Sequence, residues 1–198
     1  MKSSENLVWI DCEMTGLDVE KDCLVEIAVL VTDSELNILD DGLSVVIKPR
    51  EDSMAGMGEY VTNMHKESGL LELLPAGLEL EEAEAQVLEY VKKFAPEART
   101  APLAGNSIGT DRMFINRYMP ILDAHLHYRN VDVSSIKELV RRWYPKVYFQ
   151  LPKKSGGHRA LADIRESIAE LVYYRKTVLV EAPGPTSDEA KTSAQQTQ

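Results

Sequence analysis

Apolar, β-branched runs stand only a short distance apart in the first quarter of the chain, and this spacing restricts the fold more than any other feature. Leu7 to Cys12 reads as one strand, Cys23 to Val31 as a second, and Leu43 to Ile47 as a third that Lys48-Pro49 stops. Short links between such runs favour an antiparallel meander. The period then changes. Glu79 to Phe94 places Val87, Leu88, Val91 and Phe94 on one stripe, as an amphipathic helix does, and Pro96 ends it. Ala101 to Asn106 predicts a short strand running into Gly109-Thr110-Asp111, where Thr110 is placed to cap a helix through Tyr118. Asn130 to Val133 predicts another short strand, Ser134 or Ser135 opens a helix through Trp143, and Ala160 to Lys176 forms the last helix. A meander followed by strands alternating with helices predicts an α/β domain, a mixed sheet flanked by helices.

The 198 residues suit one globular domain with a real core. That domain is expected over residues 1–181. From Ala182 the chain is rich in Pro, Gly, Ser, Thr and Gln and has almost no apolar anchors, so residues 182–198 are expected to be a disordered tail. No apolar run is long enough to cross a bilayer, and the N-terminus soon meets Asp11 and Glu13, unlike a signal peptide. Cys12 and Cys23 are too few for a disulfide framework and read as buried, reduced thiols of a cytoplasmic protein. The net charge of −10 has a plain reading, solubility, and a sharper one. Grip on a long polyanion needs many neutralised phosphates, so any nucleic acid handled here should be short or held locally with the help of metal.

The carboxylates carry the chemistry. Asp11 and Glu13 are two apart at the end of the first strand, and period two puts them on one face. Like charges that close repel unless a cation sits between them, although a solvated strand end in a turn would also account for the pair. Asp111 opens a helix, where the helix N-terminus alone favours an acid. Asp163 lies in the last helix beside the core-type residues Leu161, Ile164, Ile168 and Leu171. His158 is five residues earlier, a spacing that separates the two side chains around a helix axis, so His158 is expected on the loop that Gly156-Gly157 make pliable. Taken alone, it reads as a surface histidine.

Together, Asp11, Glu13, Asp111, Asp163 and His158 resemble the DEDDh exonuclease family. The resemblance narrows to the oligoribonuclease family in four blocks: Trp9-Ile10-Asp11-Cys12-Glu13-Met14-Thr15-Gly16-Leu17, Gly105-Asn106-Ser107-Ile108-Gly109-Thr110-Asp111-Arg112, Tyr128-Arg129-Asn130-Val131-Asp132-Val133-Ser134, and His158-Arg159-Ala160-Leu161-Ala162-Asp163. Val61-Thr62-Asn63-Met64-His65 also fits, and the similarity runs over about residues 6 to 178. It implies a ribonuclease H-like fold and a cytoplasmic homodimer that shortens oligoribonucleotides of two to about five nucleotides from the 3′ end to 5′-mononucleotides. It further implies that Asp11, Glu13, Asp111 and Asp163 hold two divalent metals, Mg²⁺ or Mn²⁺, with His158 as general base. Hard cations prefer carboxylate oxygens, and two of them about 3.5–4 Å apart stabilise both oxygens of a phosphodiester displacement.

The same resemblance assigns the substrate contacts. Leu17 wedges against a base, and His65, with Tyr60 nearby, helps line the nucleotide pocket. Ser107, Arg129 and Ser134 cap the 5′ phosphate, and Tyr128 comes from the partner subunit. Read without the family, Leu17 is a turn residue returning to the core, Tyr128 a strand aromatic and Arg129 a surface charge, though a guanidinium fork suits phosphate. Two rival functions remain at this level: an exonuclease of the same chemistry acting on longer chains, and a catalytically dead fold serving as a protein-binding module. The blocks around Leu17 and Tyr128 and the acidic charge favour the short substrate. The full set of acids with His158 argues against the dead fold.

Overall fold

A computed structural model of the protein describes residues 5–152 and 159–197. The expected meander is present as β1 (Leu7–Met14), β2 (Leu24–Thr32) and β3 (Leu43–Val46), joined antiparallel. On the other side of β1 lie β4 (Pro102–Gly105) and β5 (His127–Asp132), both parallel, which gives a mixed sheet in the order β3-β2-β1-β4-β5. All nine residues of β2 are buried, as expected of a strand covered on both faces, and they form a nearly continuous apolar run.

Period two divides β1 between two cores. Val8, Ile10, Cys12 and Met14 face a layer that includes α4 (Leu80–Phe94), α5 (Gly109–Tyr118) and α6 (Pro120–His125), through Ala83, Val87, Val91, Phe114, Ile115 and Leu122. Trp9 faces the opposite layer with Ala28 and Leu30, under α7 (Val133–Trp143) and α9 (Ala160–Thr177). Trp9 is fully buried, and its Nε1–H donates to Thr32 Oγ1 at 3.0 Å, so burying the indole strands no polar group. Asp11 and Glu13 share the Trp9 side of the strand and therefore point toward α9.

Between β3 and α4 the chain forms α1 (Glu51–Gly56), α2 (Glu59–Glu67), α3 (Leu70–Leu73) and a short 3₁₀ turn (Leu74–Ala76), none of which the hydrophobic pattern predicts. The reason is local: α2 buries only His65, and α1 only Ser53, so no apolar stripe exists to be read. Two caps also differ from expectation. The helix with Asp111 starts at Gly109 without a side-chain cap, which puts Thr110 in the first turn, and α7 is capped by Asp132, whose carboxylate accepts from Ser134 N at 3.2 Å. β5 begins at His127 rather than Asn130, because its first residues are the polar, solvent-facing edge of the sheet. A short α8 (Pro145–Tyr148) follows α7.

The segment after Ala182, expected to lack order, carries α10 (Ser187–Gln196), which is held by a capping box between Thr186 and Glu189. No residue of α10 is buried, so it contributes nothing to either core. Deleting everything after Pro183 should therefore leave the denaturation midpoint equivalent to within about 0.5 kcal/mol, the range of surface changes, and should leave hydrolysis unchanged. A lower midpoint, or a loss of turnover, would show that the tail docks.

Candidate active site

The chain past Trp9 is where the sheet opens. β4 pairs with β1 only at Val8 and Trp9, then turns at Gly105 into α5. Gly105 permits that turn, since a Cβ there would overlap the Ile108 side chain and meet the Ile10 carbonyl oxygen at 3.1 Å. The turn brings the start of α5 against the end of β1, where Asp111 Oδ1 accepts from the backbone N of Cys12 at 3.0 Å. On the other layer, α9 lies across β1 and β2 and presents Asp163 from its first turn. Asp11, Glu13 and Asp163 each offer one carboxylate oxygen within 4.8 Å of the others. Asp111 shares their surroundings, as its electrostatic effect on both Asp11 and Glu13 shows.

Such convergence has a cost. Burial, followed by the charges of Asp111, Glu13 and Asp163, pushes Asp11 up to about 8. Burial, then Asp163 and Glu26, pushes Glu13 up to about 8, with Arg159 pulling the other way. Burial raises Asp111 to about 6 against the Cys12 N–H bond that favours its ionised form. The thiol of Cys12 is driven well above the ordinary thiol range by burial and then by Asp111, so it is not a nucleophile here.

Two residues that the sequence reading did not assign complete this arrangement. Glu26 lies directly across from Glu13 on β2 and is almost fully buried. Its carboxylate accepts from Arg159 Nε and Nη2 (3.3 and 3.0 Å) and from Ser44 Oγ at 2.6 Å. A single Glu in the middle of an otherwise apolar nine-residue strand was the available signal. Arg159 is thereby tied to the sheet. Its neighbour His158, expected as general base, lies outside the described residues.

The other expected contacts fall into three groups. Leu17 is 74% exposed on the turn after β1. His65 is completely buried behind Glu13: its Nε2–H donates to the Met14 carbonyl at 2.8 Å, and Nδ1 is 3.9 Å from Glu13 Oε2. Tyr60, also on α2, is exposed. Ser107 and Ser134 come together with hydroxyls 2.9 Å apart, and both backbone N–H groups donate to Asp132 Oδ1. Tyr128 and Arg129 lie on edge strand β5, with the Arg129 guanidinium stacked 5.4 Å from the Tyr128 ring centre and Tyr128 largely open to solvent. A recess of about 540 Å³ lies at the far end of α9 beside Arg175 and Val180 and contains none of the four acids.

Residues 8–171 match the exonuclease family RNase_T. An oligoribonuclease of Leifsonia xyli subsp. xyli is 64% identical over 192 residues, 97% of this chain and 93% of that protein. An oligoribonuclease of Streptomyces avermitilis is 58% identical over 96% of both chains. Among solved structures, E. coli exonuclease I in complex with a dT13 oligonucleotide aligns with TM-score 0.65 at 18% identity, over 87% of this chain and 41% of that one. Exonuclease I from Methylocaldum szegediense aligns with TM-score 0.62 at 19% identity, again over 87% and 41%. The chain thus spans about two fifths of these exonuclease I chains, and the likeness to them is one of fold.

The donor set fits a divalent metal. Converging carboxylate oxygens are what hard cations take as ligands, and a cation would offset the burial and mutual charge that raise their pKa values. The sign of the pH dependence follows. Asp11 and Glu13 hold protons in the folded state up to about pH 8 that they release near pH 4 when unfolded. Their contribution is full below the unfolded pKa and falls as pH rises toward 8. Ligands that bind only the folded state raise its stability. Mg²⁺ should therefore raise the unfolding temperature more at pH 8 than at pH 5, where protons compete with it, and Asp163→Asn should remove most of the increment. Equal shifts at both pH values would contradict the assignment.

Proposed function

Because the chain belongs to the exonuclease family and, within it, to the oligoribonucleases, we propose that it removes nucleotides from the 3′ end of very short single-stranded RNAs, down to dinucleotides, releasing 5′-mononucleotides. The observation that carries this reading is the convergence of Asp11, Glu13 and Asp163 at the end of β1, with Asp111 on the neighbouring helix.

In this reading Asp11, Glu13, Asp111 and Asp163 hold two divalent cations, Mg²⁺ or Mn²⁺. When bound, such cations stabilise the attacking and leaving oxygens of phosphodiester hydrolysis and make water a better nucleophile. His158 takes the proton of the attacking water at a ring nitrogen, a role that contributes about 10²–10⁴-fold in related chemistry. Arg159, tied to Glu26, fixes the chain immediately after His158.

Leu17 packs against a base. Tyr60 and His65 belong to the same end, with buried His65 acting from behind Glu13 rather than by offering surface. The far end is capped by the Ser107 and Ser134 hydroxyls together with Arg129, which receive a 5′ phosphate. Tyr128, exposed on the edge of the sheet, reaches the site of a partner subunit, so the active unit is a homodimer. Trp143, Tyr144 and Phe149 are exposed on and after α7 and supply apolar area for such an interface. Two free, buried cysteines suit the cytoplasm, and no helix among the described residues is long and apolar enough to cross a membrane.

Substrate length is the decisive test. A site that meets metal at one end and a terminal phosphate at the other is filled by a dinucleotide, and longer chains leave the cap without its partner. The cap residues Ser107 and Arg129 are exposed, so what a longer chain forgoes is their hydrogen bonds to a charged terminal phosphate, about 1.5–3 kcal/mol, or roughly ten- to hundred-fold in affinity. The net charge of −10 adds repulsion toward distal phosphates. At fixed salt, kcat/KM for 5′-phosphorylated RNAs should be greatest for the dinucleotide and fall with length, and Arg129→Ala should erase the advantage of the 5′ phosphate. A profile rising with length would favour an exonuclease for longer chains. Sharing of sites between subunits is tested by mixing inactive Tyr128→Ala and Asp163→Asn proteins. Mixed dimers then contain one intact site, and activity should return after subunit exchange. Verified exchange without recovery would count against Tyr128 acting in trans.

A further inference from the structure

Leu17 is an apolar side chain left in solvent on a turn, and such turns ordinarily move. This one is held from several sides by residues that have no part in the chemistry. Asp22 is the centre of the hold. Its Oδ1 accepts from Thr15 Oγ1 and its Oδ2 from the backbone N of Asp18, both at 2.9 Å, so one carboxylate spans the turn on both sides of Leu17. Thr15 Oγ1 in turn accepts from Cys23 N at 3.2 Å, and Thr15 N donates to the Cys23 carbonyl at 3.1 Å. Gly16 lies flat against the Asp22 carboxylate, and any Cβ at that position would overlap it.

A second set of bonds fixes the outer part of the turn. The Tyr118 hydroxyl is shared between the carbonyls of Val19 and Asp22, at 2.7 and 2.9 Å. Arg50 reaches both Tyr118 and the Lys21 carbonyl, and Ser53 Oγ donates to the same carbonyl at 2.7 Å. Side chains from α1, α5 and the residue before α1 therefore converge on eight residues of chain whose one exposed apolar group is Leu17.

We propose that Asp22 is a positioning residue for substrate: by clasping the turn on both sides of Leu17 it presets that side chain as a rigid apolar finger against the base. The proposal rests on the reading of Leu17 given above. Preset contact surface raises affinity because no ordering of the turn is required on binding. The effect belongs in KM and leaves the chemical step alone, since the Asp22 carboxylate bonds to Thr15 and Asp18, neither of which is one of the acids at the site.

The test is a double-mutant cycle on a 5′-phosphorylated diribonucleotide with saturating Mg²⁺. Burying a leucine side chain is worth about ten-fold or more in affinity, so Leu17→Ala should raise KM on that order with kcat nearly unchanged. Asp22→Ala should do the same, and the Leu17→Ala/Asp22→Ala protein should be no worse than Leu17→Ala alone. Asp22→Asn should recover KM in part, because its amide oxygen still accepts from Asp18 N, whereas its NH₂ faces Thr15 Oγ1 and takes away the acceptor of that hydroxyl. If Asp22→Ala does not fold, Tyr118→Phe, which removes the bonds to Val19 and Asp22, replaces it in the cycle. An unchanged KM in Leu17→Ala would overturn the reading of Leu17 and the proposal with it. A raised KM in Leu17→Ala with a normal KM in the Asp22 or Tyr118 variant would overturn the proposal and leave the reading standing. Additive losses, or a fall in kcat, would likewise show that Asp22 does not act through Leu17.

Discussion

Mutual repulsion among carboxylates at the end of β1 is the constraint that the rest of the structure serves. Two unit charges about 4 Å apart near a protein surface repel by roughly 4 kcal/mol, so a flexible scaffold would let them separate. This one cannot. Asp11 and Glu13 are on a strand paired with β2 along its length and with β4 at Val8 and Trp9, and buried between two layers, with Val8, Trp9 and Ile10 almost without exposure. Asp163 is carried by the helix that covers Trp9, and Asp111 by the helix that begins where β4 leaves the sheet. The acids are held together by apolar packing elsewhere, and their pKa values are raised first by burial and then by one another's charge.

Among the described residues, the partly exposed Arg159 is a counter-charge near them, and it is used for position. Arg159 makes a bidentate pair with Glu26, which Ser44 also satisfies, so Glu26 is buried with partners for both oxygens. Breaking such a pair is costly because it leaves a buried charge alone. The pair holds the start of α9 to the middle of β2, and it does so one residue after His158 and four before Asp163. Arg159 eases the charge on Glu13 without neutralising the site, which leaves three converging acids of the kind that could hold a divalent cation.

Much of this was legible in the sequence, and the exceptions share a cause. Strands β1 to β4 and helices α4, α5, α7 and α9 bury faces wide enough to print a period on the sequence, and the acids stand at their ends, where strand and helix ends meet in α/β folds. Helices α1 and α2 bury too little to print one, and α3 and the 3₁₀ turn, which bury Leu70 and Leu74, are too short. Glu26 was hidden by its apolar neighbours, because in a strand covered on both faces one polar residue does not disturb the pattern. Asp22 was hidden because its bonds are to the backbone and to Thr15, and turn geometry of that kind follows from tertiary packing. The grouping of Ser107 with Ser134 was available only through the family resemblance. Its physical basis, two N–H groups converging on Asp132 Oδ1 with Ser107 at φ 55°, needs coordinates.

The two ends of the proposed substrate path are mechanically one object. Ser167 Oγ donates to the Asp163 carbonyl at 2.9 Å and accepts from Asn106 Nδ2 at 2.8 Å, and Asn106 Oδ1 accepts from Ser134 Oγ at 3.1 Å. Ser134 meets Ser107. A continuous chain of hydrogen bonds thus runs from the residue expected to hold metal to the hydroxyls expected to hold phosphate. Glu170 adds a brace: its carboxylate accepts from Asn106 Nδ2 and from the Tyr174 hydroxyl and pairs with Lys137 of α7. Asp163 and Glu170 are seven residues apart on α9, about 10 Å along a helix. On the proposed reading, the separation between metal and cap is therefore set by a helix and a polar network, neither of which stretches readily. A flexible connection would let the cap follow substrates of different length, whereas this one fixes the distance at which both ends can be satisfied at once. On the proposed reading, discrimination by length follows from the stiffness of α9 and from the hydrogen bonds that only a terminal phosphate would make with the hydroxyl pair.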